Sequence, residues 1–427
     1  MTEVDEKVGF VEVVAIGVGG MVGGGIFAVL GLAVQLARGG APLAFAIAGL
    51  VALLTTYSYA KLSVAFPSQG GTVAFLDSAF GPGIFAGSVN ILLWLSYIVM
   101  LSLYSYAFGS YATTFLPANW QSLGKHFFIT ISILGITGLN LANAKVVGRA
   151  EGWIVAIKIA ILMVFVGIGI WGVDAQRLAP SNWAAPMPLV SGGFIIFLAY
   201  EGFELIANSA QDAKAPGRTL PRAYYSAVIF VIVLYVMVAI VTVGNLPIAQ
   251  IVSARDYALA AAAKPFLGQA GFTLIAVAAL LSTASAINAT LYGAARLSYV
   301  IAADGELPQV LKKKIWDQPI LGLLITAALT LLVANLFDLT SISTMGSSGF
   351  LLVFAIVNIA NVHKAQKTQS RKWVSVVGAI ACILALAALL WQTVSNEPLK
   401  ILTLVVMIGL SVGIEILYWT ISRRRAK

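Results

Sequence analysis

Between Glu151 and Asp174 the chain runs for 22 residues with one charge, Lys158, among Ile, Val, Leu, Met, Phe, Gly, Ala and Trp. At about 1.5 Å of rise per residue, such a stretch crosses a hydrocarbon core of about 30 Å. Lipid offers no hydrogen bonds, so a helix is the form in which this segment satisfies its own backbone. Comparable stretches recur near 10–36, 42–65, 83–115, 127–143, 147–172, 190–211, 222–244, 270–298, 319–336, 340–361, 373–392 and 398–421, twelve spans in all. Only 10% of the residues are charged, against about a quarter in soluble domains, and no polar block is long enough for a separate soluble unit. The expectation is an all-α membrane protein with a single transmembrane domain over 1–427. The less apolar segment 246–267 reads as a surface helix between spans seven and eight. The acidic Met1–Gly9 segment lacks a basic n-region and a cleavage site, so no removable signal peptide is expected.

An even number of spans places both termini on one side. Nineteen of the 26 Lys and Arg residues fall there; Arg38, Lys125, Arg177, Arg255, Lys264 and Lys400 fall opposite, and Lys158 is left over. The positive-inside rule makes the terminal side the cytoplasm, and the expected location is the cell (plasma) membrane. The formal charge of +9 is then topogenic, and nucleic acid is not an expected partner; the lipid bilayer is. The clusters Arg218–Ala223 and Lys312–Lys314 read as topology and headgroup contacts. Cys382 stands alone, which excludes an internal disulfide framework. His126 and His363 lie in loops on opposite sides and cannot share a metal, so neither a metal nor a cofactor is expected. An intramembrane enzyme is disfavoured, because no His lies in a span and Glu201 and Glu204 neighbour each other on one helix. A channel would need a repeated polar lining that is not evident.

An ammonium in hydrocarbon costs at least about 2.5 kcal/mol, so intramembrane charges are rare and mark transport pathways or proton relays. Lys158, seven residues from the near end of its span, could instead snorkel to the headgroups. Two further spans are interrupted. The first carries Gly19-Gly20-Met21-Val22-Gly23-Gly24-Gly25, either a small-residue packing face or an unwound segment. It is not a phosphate loop, since no Gly-Lys-Ser/Thr follows. Five spans later, Phe197-Leu198-Ala199-Tyr200-Glu201-Gly202-Phe203-Glu204 sets two carboxylates and a glycine in mid-span. Interrupted spans at matching positions of two halves suggest a secondary transporter of two inverted repeats: about 10–172 and about 190–361, with 373–421 appended. Freed amides at a half-helix N-terminus can hold a carboxylate, and freed carbonyls a cation, which suits a zwitterion.

These residues resemble the amino acid–polyamine–organocation transporter family, and within it the proton-coupled carriers of broad amino acid specificity. The likeness covers nearly the whole chain and rests on Gly19–Phe27, Ala144–Lys158, Phe197–Ala223, Leu280–Arg296 and Asp304–Pro308. It implies the five-plus-five inverted-repeat fold with helices one and six broken. It implies amino acids as substrates, the proton as coupling ion, and a monomer sufficient for transport. Val22, Gly23, Gly24 and Gly25 would bind the substrate carboxylate, and the backbone around Phe197, Ala199 and Tyr200 its amino group. Lys158 would stand where relatives hold sodium, near Gly19, Ser282 and Ser285, and its deprotonation would release the moving bundle.

Glu204 fits the acidic end of the family pattern and would link helix six to proton movement. Glu201, where family side chains face the substrate, is open to three readings: partner of a cationic side chain, second proton carrier, or structural hydrogen bond within the break. Phe197 and Tyr200 could gate the site. Asn90, Tyr97, Tyr104 and Tyr106 could reach it from span three; Asn288, Ser341, Ser343 and Thr344 are weaker candidates. Exchange of amino acids or polyamines, favouring cationic substrates, is the rival to symport.

Overall fold

The computed structural model describes residues 7–142, 144–312 and 319–425; Lys313 and Lys314 of the basic cluster, and Lys427, lie outside the described residues. The helices are α1 (Phe10–Met21), α2 (Gly25–Ala37), α3 (Ala41–Ala65), α4 (Thr72–Phe80), α5 (Ile84–Ala112), α6 (Gln121–Ala142), α7 (Ala144–Gly169), α8 (Pro186–Ile195), α9 (Pro216–Asn245), α10 (Ile248–Ser253), α11 (Ala258–Ala303), α12 (Ile320–Leu336), α13 (Leu339–His363), α14 (Ala365–Thr368), α15 (Lys372–Asn396) and α16 (Ile401–Arg425). Among the described residues there is no strand, only two isolated bridges, Val8 to Ala213 and Arg38 to Trp183. The protein is an all-α membrane protein.

Nine of these helices are long and apolar enough to cross a bilayer, and two bent pairs make eleven: α1 with α2, bent by 46°, and α8 with Phe197–Ser209, bent by 45°. The twelfth stretch read from the sequence is α12, apolar and continuous but shorter. The spans are apolar all round, so hydropathy marks them without saying which lie inside. Small polar residues make that distinction. α5 and α13, rich in Ser and Gly, are the most enclosed, since small side chains let neighbouring backbones approach; 78% and 83% of their apolar windows are buried, against 22% in α16. α6, α7, α15 and α16 form the rim and turn Leu123, Trp153, Leu384, Trp391 and Leu417 outward, the surface lipid would cover.

One departure from the sequence reading matters. The surface helix expected over 246–267 is two pieces: α10 and, after a turn, Ala258–Leu267, which ends where Gly268 (φ 63°) kinks α11. The connection after α3 holds α4. The end of the bundle where α1 begins is here termed the near end; α4, Gly305–Pro308 and the start of α9 lie there.

Candidate functional site

The first span stops being helical over three residues, Val22–Gly24. A break frees backbone carbonyls at the end of α1 and amides at the start of α2. The carbonyls of Gly19, Met21, Val22 and Gly23 meet side chains from three other helices. Lys158 on α7, 2% exposed, donates from Nζ to the Gly19 carbonyl at 3.0 Å. Tyr235 on α9 donates to the Met21 carbonyl at 2.6 Å. Ser282 on α11 donates to the Val22 carbonyl at 3.1 Å and to the Gly23 carbonyl. The glycines serve close approach: a Cβ on Gly24 would stand 2.3 Å from the Tyr104 ring, and one on Gly25 would stand 2.8 Å from Ala199 Cα.

The second break follows α8. Phe197–Tyr200 forms a short 3-10 turn, Glu201 is extended, and Gly202 turns the chain at φ 118° into a second 3-10 stretch, Phe203–Ser209. That φ is open to glycine and strained for any L side chain. A Cβ there would also lie 2.5 Å from the Gly20 carbonyl carbon, so the two breaks cross at Gly20 and Gly202. Ser347 on α13 spans the gap, donating to the Ile195 carbonyl (2.8 Å) and accepting from the Leu198 amide (3.0 Å). Glu204 accepts from the Gly202 amide (2.7 Å) with one oxygen and from the Tyr97 hydroxyl (3.0 Å) with the other. Glu201 lies beside Glu204, is 3% exposed, and has no hydrogen-bond partner for Oε1.

A cavity of about 650 Å³ opens from the near end between α1, α7, α11 and Phe203–Ser209, and reaches Gly19, Gly20 and Tyr97 at its depth. At the far end the side chains of Asp256, Lys125, Arg255 and Tyr106 interlock. Asp256 there accepts from Lys125 at 2.7 Å, from Arg255 at 3.1 Å and from Tyr106 at 3.3 Å, with the Lys125 ammonium 3.7 Å above the Tyr106 ring. The Arg255 backbone packs on Gly31 of α2. Burial alone would raise the Asp256 carboxyl, but Lys125 and Arg255 outweigh it and hold the group below the usual carboxylate range.

Of the residues singled out from sequence, Lys158, Gly19, Val22, Gly23 and Ser282 meet at the first break, and Glu201, Glu204 and Tyr97 at the second. Tyr104 covers Gly24. Ser285 is half-buried, nearly a turn beyond Ser282 on α11. Tyr200 and Phe197 pack into helix contacts: the Tyr200 hydroxyl bonds the Phe45 carbonyl at 2.8 Å, and Phe197 meets the Phe354 ring. Asn288 bonds Asn140 on α6, Tyr106 belongs to the far-end lock, and Asn90 faces Asp77 and Glu306. The Ser341 amide is held by Asp338, which caps α13, and Ser343 and Thr344 are buried. Tyr235 and Ser347 were not singled out. Tyr235 is one polar atom in a long apolar run and Ser347 one of several serines on α13, and only the tertiary structure brings them to a break.

The chain matches the amino acid permease family model over residues 8–421. It is 35% identical to an uncharacterized protein of Methanocaldococcus jannaschii, over 98% of this chain and 97% of that one. It is 32% identical to the inner membrane transport protein YbaT of Escherichia coli, over 91% and 90%, and 23% identical to the branched-chain amino acid permease BcaP of Bacillus subtilis, over 99% and 94%.

Proposed function

We propose, for a chain that belongs to the amino acid permease family, that it carries amino acids across the cell membrane in symport with protons, by alternating access. It is a membrane transporter of amino acids and not an enzyme; coupling, orientation and site roles are our reading. The observation that carries the coupling is the buried Lys158 ammonium on the Gly19 carbonyl. A charged amine there holds α1 to α7, and the neutral amine loses most of that attraction. The proton then leaves through the cavity whose floor includes Gly19, which on the positive-inside assignment faces the cytoplasm.

The substrate carboxylate is assigned to the amides at the α2 N-terminus, Val22–Gly25, where the helix dipole favours an anion. The ammonium is assigned to backbone carbonyls near Phe197–Tyr200. Spans one to five and six to ten are read as inverted repeats, because the first and sixth are the bent ones. The free Oε1 of Glu201 favours a substrate with a second positive charge, since a buried acceptor left unpaired is costly. Radiolabelled uptake into sodium-free proteoliposomes, driven by an imposed proton gradient and competed with alanine or lysine, tests both points. Gradient-driven accumulation with lysine the stronger competitor is expected. Uptake without accumulation would assign exchange instead, and equal competition would remove the cation preference.

A further inference from the structure

A second set of carboxylates, two of them buried, lies at the near end, away from both helix breaks. Asn90 on α5 is fully buried and donates both amide hydrogens to acids: to Asp77 on α4 at 3.1 Å and to Glu306, in the turn after α11, at 2.8 Å. Glu306 is 5% exposed and Glu415 on α16 is 1% exposed. The Glu415 carboxylate packs on Gly87, one turn from Asn90, where a Cβ would stand 2.4 Å from it. Two buried acceptors here have no hydrogen-bond partner: Asn90 Oδ1, at the centre of the group, and Glu415 Oε2. No ion pair among the described residues involves Asp77, Glu306 or Glu415. Three neighbouring carboxylates, two of them buried and none ion-paired, cannot all stay ionised.

We propose that Asp77, Asn90, Glu306 and Glu415 form a proton-binding site, separate from Lys158, that joins α4, α5, the Gly305–Pro308 turn and α16 at the near end. The proton bonds to a carboxylate oxygen, and the O–H so formed supplies one donor where Asn90 Oδ1 and Glu415 Oε2 each lack one. The geometry also gives the proton a route. Asp77 and Asp304 line a recess of about 490 Å³ that shares Gln69, Gly70 and Val300 with the main cavity. The charged groups facing Glu306 are Asp77, Glu415 and Asp304, with Lys312 acting on Asp304. Arg296 donates to Gln69 on the wall of the recess. Burial first, then these acids, push Glu306 up to about 8 against the Asn90 bond; burial puts Asp77 at about 6. Glu306 is thus the group that holds the proton near neutrality. Loss of that proton sets Glu306 against Asp77 and Glu415, which loosens α16 from α5.

Infrared titration of protonated carboxyls, on the purified full-length chain in lipid nanodiscs without substrate, tests this directly. A carboxyl component lost with a midpoint near 8 is expected, absent in Glu306→Gln. Asp77→Asn removes one neighbouring charge and is expected to move that midpoint to lower pH, which keeps the test open if Glu306→Gln does not fold. Persistence of the component in Glu306→Gln, or an unmoved midpoint in Asp77→Asn, overturns the proposal. Displacement of the component by sodium at fixed pH also overturns it, in favour of a metal-cation site. Lys158→Ala is expected to leave the component in place, so the outcome does not depend on the coupling role of Lys158.

Discussion

Ser282→Ala removes one hydroxyl whose acceptors among the described residues are the Val22 and Gly23 carbonyls of the first break. The site is fully buried, so the abandoned carbonyls gain no water in this arrangement and keep their desolvation penalty, about 1 to 3 kcal/mol. If the bond exists only while the break lies against α11, the loss falls on the near-open state alone. At 1.4 kcal/mol per tenfold, the ratio of near-open to other states drops roughly 5- to 140-fold. The chain's 427 residues imply an unfolding entropy of about 0.9 kcal/mol per kelvin, so the thermal midpoint falls by about 1 to 3 °C. The assay is labelling of Ala15→Cys, an exposed cavity-lining position, with a membrane-impermeant maleimide applied at the near end. The native Cys382 is buried against Thr55 and stays silent. Slower labelling in Ser282→Ala than in the Ala15→Cys parent is expected. Equal labelling with an unchanged midpoint would show that the hydroxyl does not hold the break, and would refute the reasoning.

Other substitutions probe the same frame. Gly202→Ala places a Cβ on a φ of 118° and against the Gly20 backbone, so folded yield in detergent is expected to collapse, whereas Gly217→Ala, in open space, leaves it unchanged. Glu204→Gln keeps one acceptor oxygen where two are used, by the Gly202 amide and the Tyr97 hydroxyl; a loss of about 2 kcal/mol and of proton-driven uptake is expected, while Tyr97→Phe retains part of the uptake. Asp256, held below the usual carboxylate range, contributes stability above the unfolded carboxylate pKa of about 3.9 and loses it as pH falls through the lowered folded value. Melting followed downward from about pH 5 is therefore expected to decline less steeply in Asp256→Asn than in the parent.

The spans were legible because lipid demands long apolar helices and the chain supplies them with little interruption. Both breaks were legible for the same reason, since glycine runs and mid-span carboxylates stand out against hydrocarbon. What hydropathy could not convey was direction. Tyr235 and Tyr200 look alike in sequence, yet one hydroxyl serves the Met21 carbonyl of the break and the other ties the Phe45 carbonyl of α3. Ser347 was invisible for want of any local signal, because its partners Ile195 and Leu198 lie some 150 residues away along the chain. The near-end acids were hidden differently. Asp77, Glu306 and Glu415 sit in three unrelated segments, two of them near span ends where charge is ordinary, and only packing around Asn90 brings them together.

The coupling role of Lys158 is tested most directly by substrate accumulation in sodium-free proteoliposomes under an imposed inward proton gradient, comparing the parent with Lys158→Ala. The account predicts concentrative uptake by the parent that rises with the gradient, and none above equilibration by the variant. Gradient-dependent accumulation by Lys158→Ala, or accumulation by the parent only when sodium is added, would contradict it.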